Sequence, residues 1–138
     1  MLHATILLST VAMLISMGFF FLGSLPLLVL KHDKPMDARF IRCVFNTHYV
    51  ATLGIATIAT VGRAQSGQTA MAAFMALVGA IALTGRLKIV QRMDALRTER
   101  WATGAMQVPA FRRLHITGMV VNATLLICFV TLLMRFGI

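Results

Sequence analysis

The chain has 138 residues and a formal net charge of +9, from 13 Lys and Arg against 4 Asp and Glu. Its hydrophobic fraction is 59% and its charged fraction 12%, against about 45–50% and 25% in soluble domains. The length allows one domain, and that much apolar surface excludes water as its solvent. The basic residues fall in short tracts between apolar runs, without the readout elements of a nucleic-acid binder, so nucleic acid is excluded as a partner. Membrane topology and anionic lipid headgroups account for the charge instead.

The first apolar run extends from about residue 4 to residue 30. It exceeds the roughly 20 residues that a spanning helix needs, which predicts tilt or an early end near Pro26. No Lys or Arg precedes it and no A-x-A site follows, so a retained span is expected rather than a cleaved leader. A polar connector follows, with Lys31, His32, Asp33, Lys34, Pro35 and Asp37. The second span covers about 40–61, and a short turn carries Arg63, Ser66 and Gly67. The third covers about 69–90. Beyond it, Leu87, Ile89, Val90, Met93 and Leu96 alternate with Lys88, Arg92, Arg97 and Arg100, as in a helix extension or a headgroup-lying segment. Gly104 stops this segment, Pro109 suits the first turn of the next helix, and the fourth span covers about 112–134. The fold class expected is all-α, an up-down-up-down four-helix membrane bundle.

The basic residues orient it. Connectors 31–42 and 86–113 hold most of the Lys and Arg, whereas Arg63 and Arg135 stand alone on the other side. The positive-inside rule makes those connectors cytoplasmic and both termini external, periplasmic for a bacterial inner membrane. Anionic headgroups are the expected partners of the connectors, and a homodimer or larger membrane complex suits so thin a bundle.

Polar residues inside spans are costly and are functional candidates by default. His115 and Asn122 are seven residues apart on one helix face, with Gly118 and Met119 between them, and His48 and Thr52 are one turn apart on another. His48 lies about 9 Å of helix rise from Arg42, and Asn122 about 13 Å from Arg113. One cluster of His48, Arg86, His115 and Asn122, joined by Asn46, is therefore expected in the cytoplasmic half. It has three readings: interhelical bonds that fix register, a site for a proton, metal ion or small ligand, or bis-histidine ligation of haem b by His48 and His115, as in an accessory subunit of a membrane redox complex.

Other features read as packing. Ala72, Ala76 and Ala80 form a small-residue stripe on the third span. Met13, Met17, Met71, Met75, Met119 and Met134 read as filler rather than soft-metal ligands. Cys43 and Cys128 belong to no metal-spaced pattern and read as small buried hydrophobes. Ser9, Thr10 and Ser16 are placed to bond back to their own helix. The acids Asp33, Asp37, Asp94 and Glu99 all lie in connectors, so a catalytic residue is not expected within the membrane and the protein reads as non-enzymatic.

Phe111-Arg112-Arg113-Leu114-His115, followed by Gly118-Met119 and Asn122, opens the fourth span. With Phe19 to Pro26, Phe45-Asn46-Thr47-His48-Tyr49, and Thr84-Gly85-Arg86 followed by Met93 and Glu99-Arg100, it resembles the small four-helix membrane proteins similar to transmembrane protein 205. These are grouped as a domain of unknown function. The resemblance implies a four-span integral membrane protein with no established biochemical activity. Thr84 and Gly85 stand where that family often has Asn.

Overall fold

Helix α1, Leu2–Leu27, ends where its sequence says it must. Pro26 has no N–H to continue the ladder, and the chain closes in tighter turns, Leu28 N–H to Leu25 O at 3.1 Å and Val29 N–H to Pro26 O at 3.2 Å. The helix thus ends three residues before the apolar run does. The computed structural model describes residues 1–29, 35–103 and 108–136. Lys31, His32, Asp33, Lys34 and Gly104, named above, lie outside the described residues.

Helix α2 runs Pro35–Gln65 and α3 Thr69–Gly85. Between them Gly67 takes φ +77°, the left-handed conformation that glycine adopts without a steric penalty. Gln68 N–H then bonds Arg63 O at 2.9 Å and Gly67 N–H bonds Ala64 O at 3.1 Å, the paired bonds that close a helix C-terminus. A five-residue π-helical turn, Arg86–Val90, joins α3 directly to α4, Gln91–Thr103. The basic segment is therefore an extension of the third helix. The π turn rotates the helix that follows it, and Val90, Met93 and Leu96 come to lie in the core with Ile41 and Phe45. Helix α5, Val108–Phe136, has Pro109 in its first turn.

Among the described residues, four helices are long and apolar enough to cross a membrane: Leu2–Leu27, Met36–Gln65, Thr69–Glu99 and Pro109–Arg135. The protein is an all-α membrane bundle. The core has two layers. At the basic end, Phe20, Ile41, Phe45, Tyr49, Met93 and Phe111 pack together. At the turn end, Met13, Met17, Met71 and Met75 pack with Ala56, Val78 and Phe129. These methionines fill space, as the sequence suggests, whereas Met134 is exposed.

Two glycines allow side chains to cross helix backbones. A Cβ on Gly85 would stand 2.7 Å from Tyr49 Cζ, and one on Gly118 would meet the ring of Phe45. Two packing expectations are corrected. Ala72 is buried, but Ala76 and Ala80 are exposed along a shallow groove beside α2; the close approach uses Gly79, whose added Cβ would lie 3.4 Å from Ala56. Cys43 and Cys128 are both on the outside of the bundle. Every face of a membrane helix is apolar, so hydrophobicity alone does not separate core from lipid side.

Helix α4 is tied to α2 by Arg42, whose Nε and Nη2 donate to Asp94 at 3.0 and 2.8 Å, and Arg97 Nη2 approaches the same carboxylate at 3.6 Å. Arg42 and Asp94 are about a third exposed, at 35% and 32%. Asp94→Asn is therefore expected to cost less than about 1 kcal/mol in global unfolding. It should nevertheless speed hydrogen exchange of the α4 amides. Unchanged α4 exchange would show that apolar packing alone docks the helix.

Candidate functional site

His48 sits on the inner face of α2, 8% exposed, where the two core layers meet. Its ring lies flat on Phe20 of α1, with centroids 4.0 Å apart and planes at 18°. Thr52, one turn along α2, brings its hydroxyl to 3.5 Å from His48 Nδ1 and 3.5 Å from Ser16 Oγ. Opposite, Asn122 of α5 donates from Nδ2 to Met17 O at 3.0 Å. The buried Asn122 side chain also meets the His48 ring. With His48, Tyr49 and Thr52, Asn122 lines a cavity of about 10 Å³, which is room for one water.

His48 also borders a second, larger space. Between α1 and α2 a groove of about 260 Å³ opens sideways on the bundle surface, lined by Ser16, Phe19, Phe20, Phe40, Cys43, Val44, Thr47, His48 and Ala51. Phe19, Phe40 and Cys43 are exposed at its rim. Every described lining group is uncharged or an imidazole. The imidazole thus stands between a lipid-side groove and a water-sized cavity in the protein.

The expected cluster is only partly assembled. His48 and Asn122 share the small cavity, and His115 is buried nearby with its ring edge-on to Phe45, centroids 5.4 Å apart at 79°. Arg86 and Asn46 form a separate pair. Arg86 is exposed, its Nε donates to Asn46 Oδ1 at 3.2 Å, and neither residue lines the cavity. Asn46 is two positions from His48, so it points about 200° away around the helix.

Access also differs from expectation. Phe20, Phe45, Tyr49 and Phe111 fill the bundle between His48 and the basic end, so the opening is lateral. The Phe45 ring fills the gap between α2 and α5 at His115 and presses on Gly118. The two imidazoles each pack against a phenyl ring, His115 against Phe45 and His48 against Phe20. Among the described residues no three His, Cys, Asp or Glu side chains are grouped so as to hold a metal ion.

No protein-family model matches the chain, and neither does any curated protein or solved structure.

Two features escape sequence reasoning. Ser16 does not simply bond back to its own helix but reaches Thr52 on α2; Ser9 and Thr10 do bond back, both to Ile6 O, at 3.0 and 2.7 Å. Arg63, read only as an outer charge, is 0% exposed. Its Nη2 donates to Thr10 Oγ1 at 2.6 Å and its Nη1 to Gln68 Oε1 at 2.7 Å.

Proposed function

We propose that this is a non-enzymatic membrane protein that takes a small amphipathic ligand from the bilayer into the groove between α1 and α2, with His48 as its polar anchor. The observation that carries this reading is the position of the imidazole, at the floor of a groove that opens on the lipid side. His48 has Thr52 behind it, Phe20 beneath it, the Asn122 side chain and the Ser16 backbone as hydrogen-bond partners, and one edge on the groove. Among the described residues, tight apolar layers above and below the polar level offer no continuous polar route through one copy, which favours binding over conduction.

In this reading the basic end faces the cytoplasm of a bacterial inner membrane and both termini lie outside, following the positive-inside rule. Arg39, Arg92, Arg112 and Arg113, all exposed at that end, then meet anionic headgroups. Kinship with the proteins similar to transmembrane protein 205 belongs to the same proposal and rests on the motif around His115 and Asn122.

Ala51→Phe tests it. Ala51 is exposed on the groove wall, so a phenyl ring there fills the groove without entering the core. The organic extract of the purified wild-type protein is expected to contain a near-stoichiometric small lipid that is depleted at least tenfold in the variant, with thermal stability unchanged. Identical extracts from two equally folded proteins would sink the proposal.

A further inference from the structure

The outer seam between α2 and α3 carries a charge of its own. Arg86 is exposed there, and its Nε donates to Asn46 Oδ1 at 3.2 Å. Among the described residues it has no carboxylate partner, and Asp94 is already shared by Arg42 and Arg97. An amide oxygen does not neutralise a guanidinium, which stays charged at any ordinary pH. With Nε engaged, the edge left over is the fork of Nη1 and Nη2, which suits two oxygens of one phosphate.

The depth of the pair fits that partner. Arg86 stands about 25 Å of helix rise from Thr69 at the start of α3, and Asn46 about 28 Å from Gln65 at the end of α2. Those two helix ends meet at one turn, so the pair lies close to one hydrocarbon thickness, ~30 Å, away from it, where acyl chains give way to headgroups. Its neighbours look outward. Val50, one turn from Asn46, is 48% exposed, and Leu83, one turn from Arg86, is 42% exposed.

A place for the acyl chain continues from the same two faces. Steps of three and four residues carry α2 from Asn46 through Val50 to Leu53 and Thr57, and α3 from Arg86 through Leu83 to Ala80 and Ala76. Leu53, Thr57, Ala76, Ala80 and Leu83 line the shallow groove of about 270 Å³ between these helices. Its two threonines, Thr57 and Thr60, spend their hydroxyls on Leu53 O and Ala56 O at 2.8 and 2.7 Å, so the groove is apolar in effect. From Arg86 to Ala76 is about 15 Å of rise, close to half of a ~30 Å core, the depth of one leaflet.

We infer that this seam binds an anionic phospholipid of the leaflet at the basic end, its phosphate on the Arg86 fork and one acyl chain along the α2–α3 groove. Arg86 has no described carboxylate to offset it, so a headgroup of net negative charge is favoured over a zwitterion. A second copy is the other occupant to weigh, and the charge disfavours it. Two copies inserted the same way would bring two Arg86 side chains to one depth across a symmetric contact. The inference is independent of the α1–α2 groove and its ligand.

The full chain in neutral detergent, stripped of lipid, is titrated with dioleoyl phosphatidylglycerol, with phosphatidylcholine of the same chains, and with inorganic phosphate. Native mass spectrometry counts lipids per chain, and the rise in melting temperature gives the half-point. One phosphatidylglycerol per chain is expected, with a half-point at least fivefold below that of phosphatidylcholine. Arg86→Gln should raise that half-point at least tenfold. Lys88→Gln removes an exposed charge two positions on, which does not share the face, and should leave it within twofold. Ala80→Phe fills the groove from its exposed wall and should raise it at least fivefold; it decides the matter should Arg86→Gln fail to fold. Equal losses for Arg86→Gln and Lys88→Gln would reduce the effect to diffuse attraction and overturn the site, as would no retained phosphatidylglycerol. Stabilisation by inorganic phosphate at the same half-point would give the fork to a free anion and overturn the lipid assignment. A lipid-free dimer that Ala80→Phe dissociates would give the groove to a second copy and overturn it too.

Discussion

Gly118→Ala is expected to destabilise the bundle by about 1–3 kcal/mol, the cost of forcing an extra methyl into a packed core. The sign makes the prediction informative. In a helix interior Gly→Ala is normally stabilising, by about 1 kcal/mol. At Gly118 the new Cβ falls on the Phe45 ring. That ring is fully buried and is held edge-on by Phe20, Tyr49 and His115, with centroid distances of 4.9, 6.0 and 5.4 Å, so it has no free direction in which to turn. Gly18, Gly23 and Gly54 have nothing within 4 Å of an added Cβ, and alanine at each should be neutral or stabilising. Phe45→Leu in the Gly118→Ala background should recover part of the loss, which a double-mutant cycle in detergent unfolding reads as coupling between the two sites. If Gly118→Ala behaves like Gly54→Ala, Phe45 does not hold α2 against α5.

The same ring explains why the polar level is reached sideways. Phe45 and Phe20 close the bundle toward the basic end, and Met13, Met17 and Met75 close it toward the turn end. Besides its polar partners, His48 borders the one-water cavity against Asn122 and the lateral groove. A site of this shape exchanges with lipid more readily than with either aqueous side. The exposed pair of Arg86 and Asn46 lies apart from it and contributes no charge to the groove.

How much of this the residues announce depends on which physical signal is strong. Apolar runs of spanning length and the proline at position 26 are enough to place the four helices and the end of α1. Facing is harder. A four-residue stripe drifts about 40° per step around a helix of 3.6 residues per turn, so Ala72 and Ala80 stand about 80° apart and the spacing alone does not say which of the three meets the core. The structure buries Ala72 and turns the other two outward. The π turn at Arg86–Val90 has no proline or glycine pair to announce it, and it decides which face of α4 meets the core. The nearness of His48 to Asn122 was legible because both stand a similar depth from basic connectors. The groove was not, since it depends on how Phe19, Phe20 and Phe40 from two helices splay at one level.

Thr10→Val is expected to be among the most damaging isosteric changes in the protein, through Arg63. Arg63 is fully buried at the turn end, and among the described residues its guanidinium is met only by neutral oxygens, Thr10 Oγ1 at 2.6 Å and Gln68 Oε1 at 2.7 Å. Its Nε has no partner among the described residues. Valine keeps the shape of threonine but removes one of those two acceptors. Leaving a buried donor unmade costs about 1–3 kcal/mol, and more for a charged group. Thr57→Val is the control: Thr57 is exposed and only bonds back to Leu53 O at 2.8 Å, so its loss should be near neutral. Arg63→Met removes the charge that needs the acceptor, and a buried cation replaced by an apolar side chain of similar length is often tolerated. Thr10→Val should therefore cost little once Arg63 is methionine. Proteolysis at the Ser66–Gln68 turn and thermal unfolding in detergent both read the effect, because loosening Arg63 frees α1 from the end of α2. Equal losses for Thr10→Val with and without Arg63 would mean that the hydroxyl serves α1 alone, through its bond to Ile6 O at 2.7 Å.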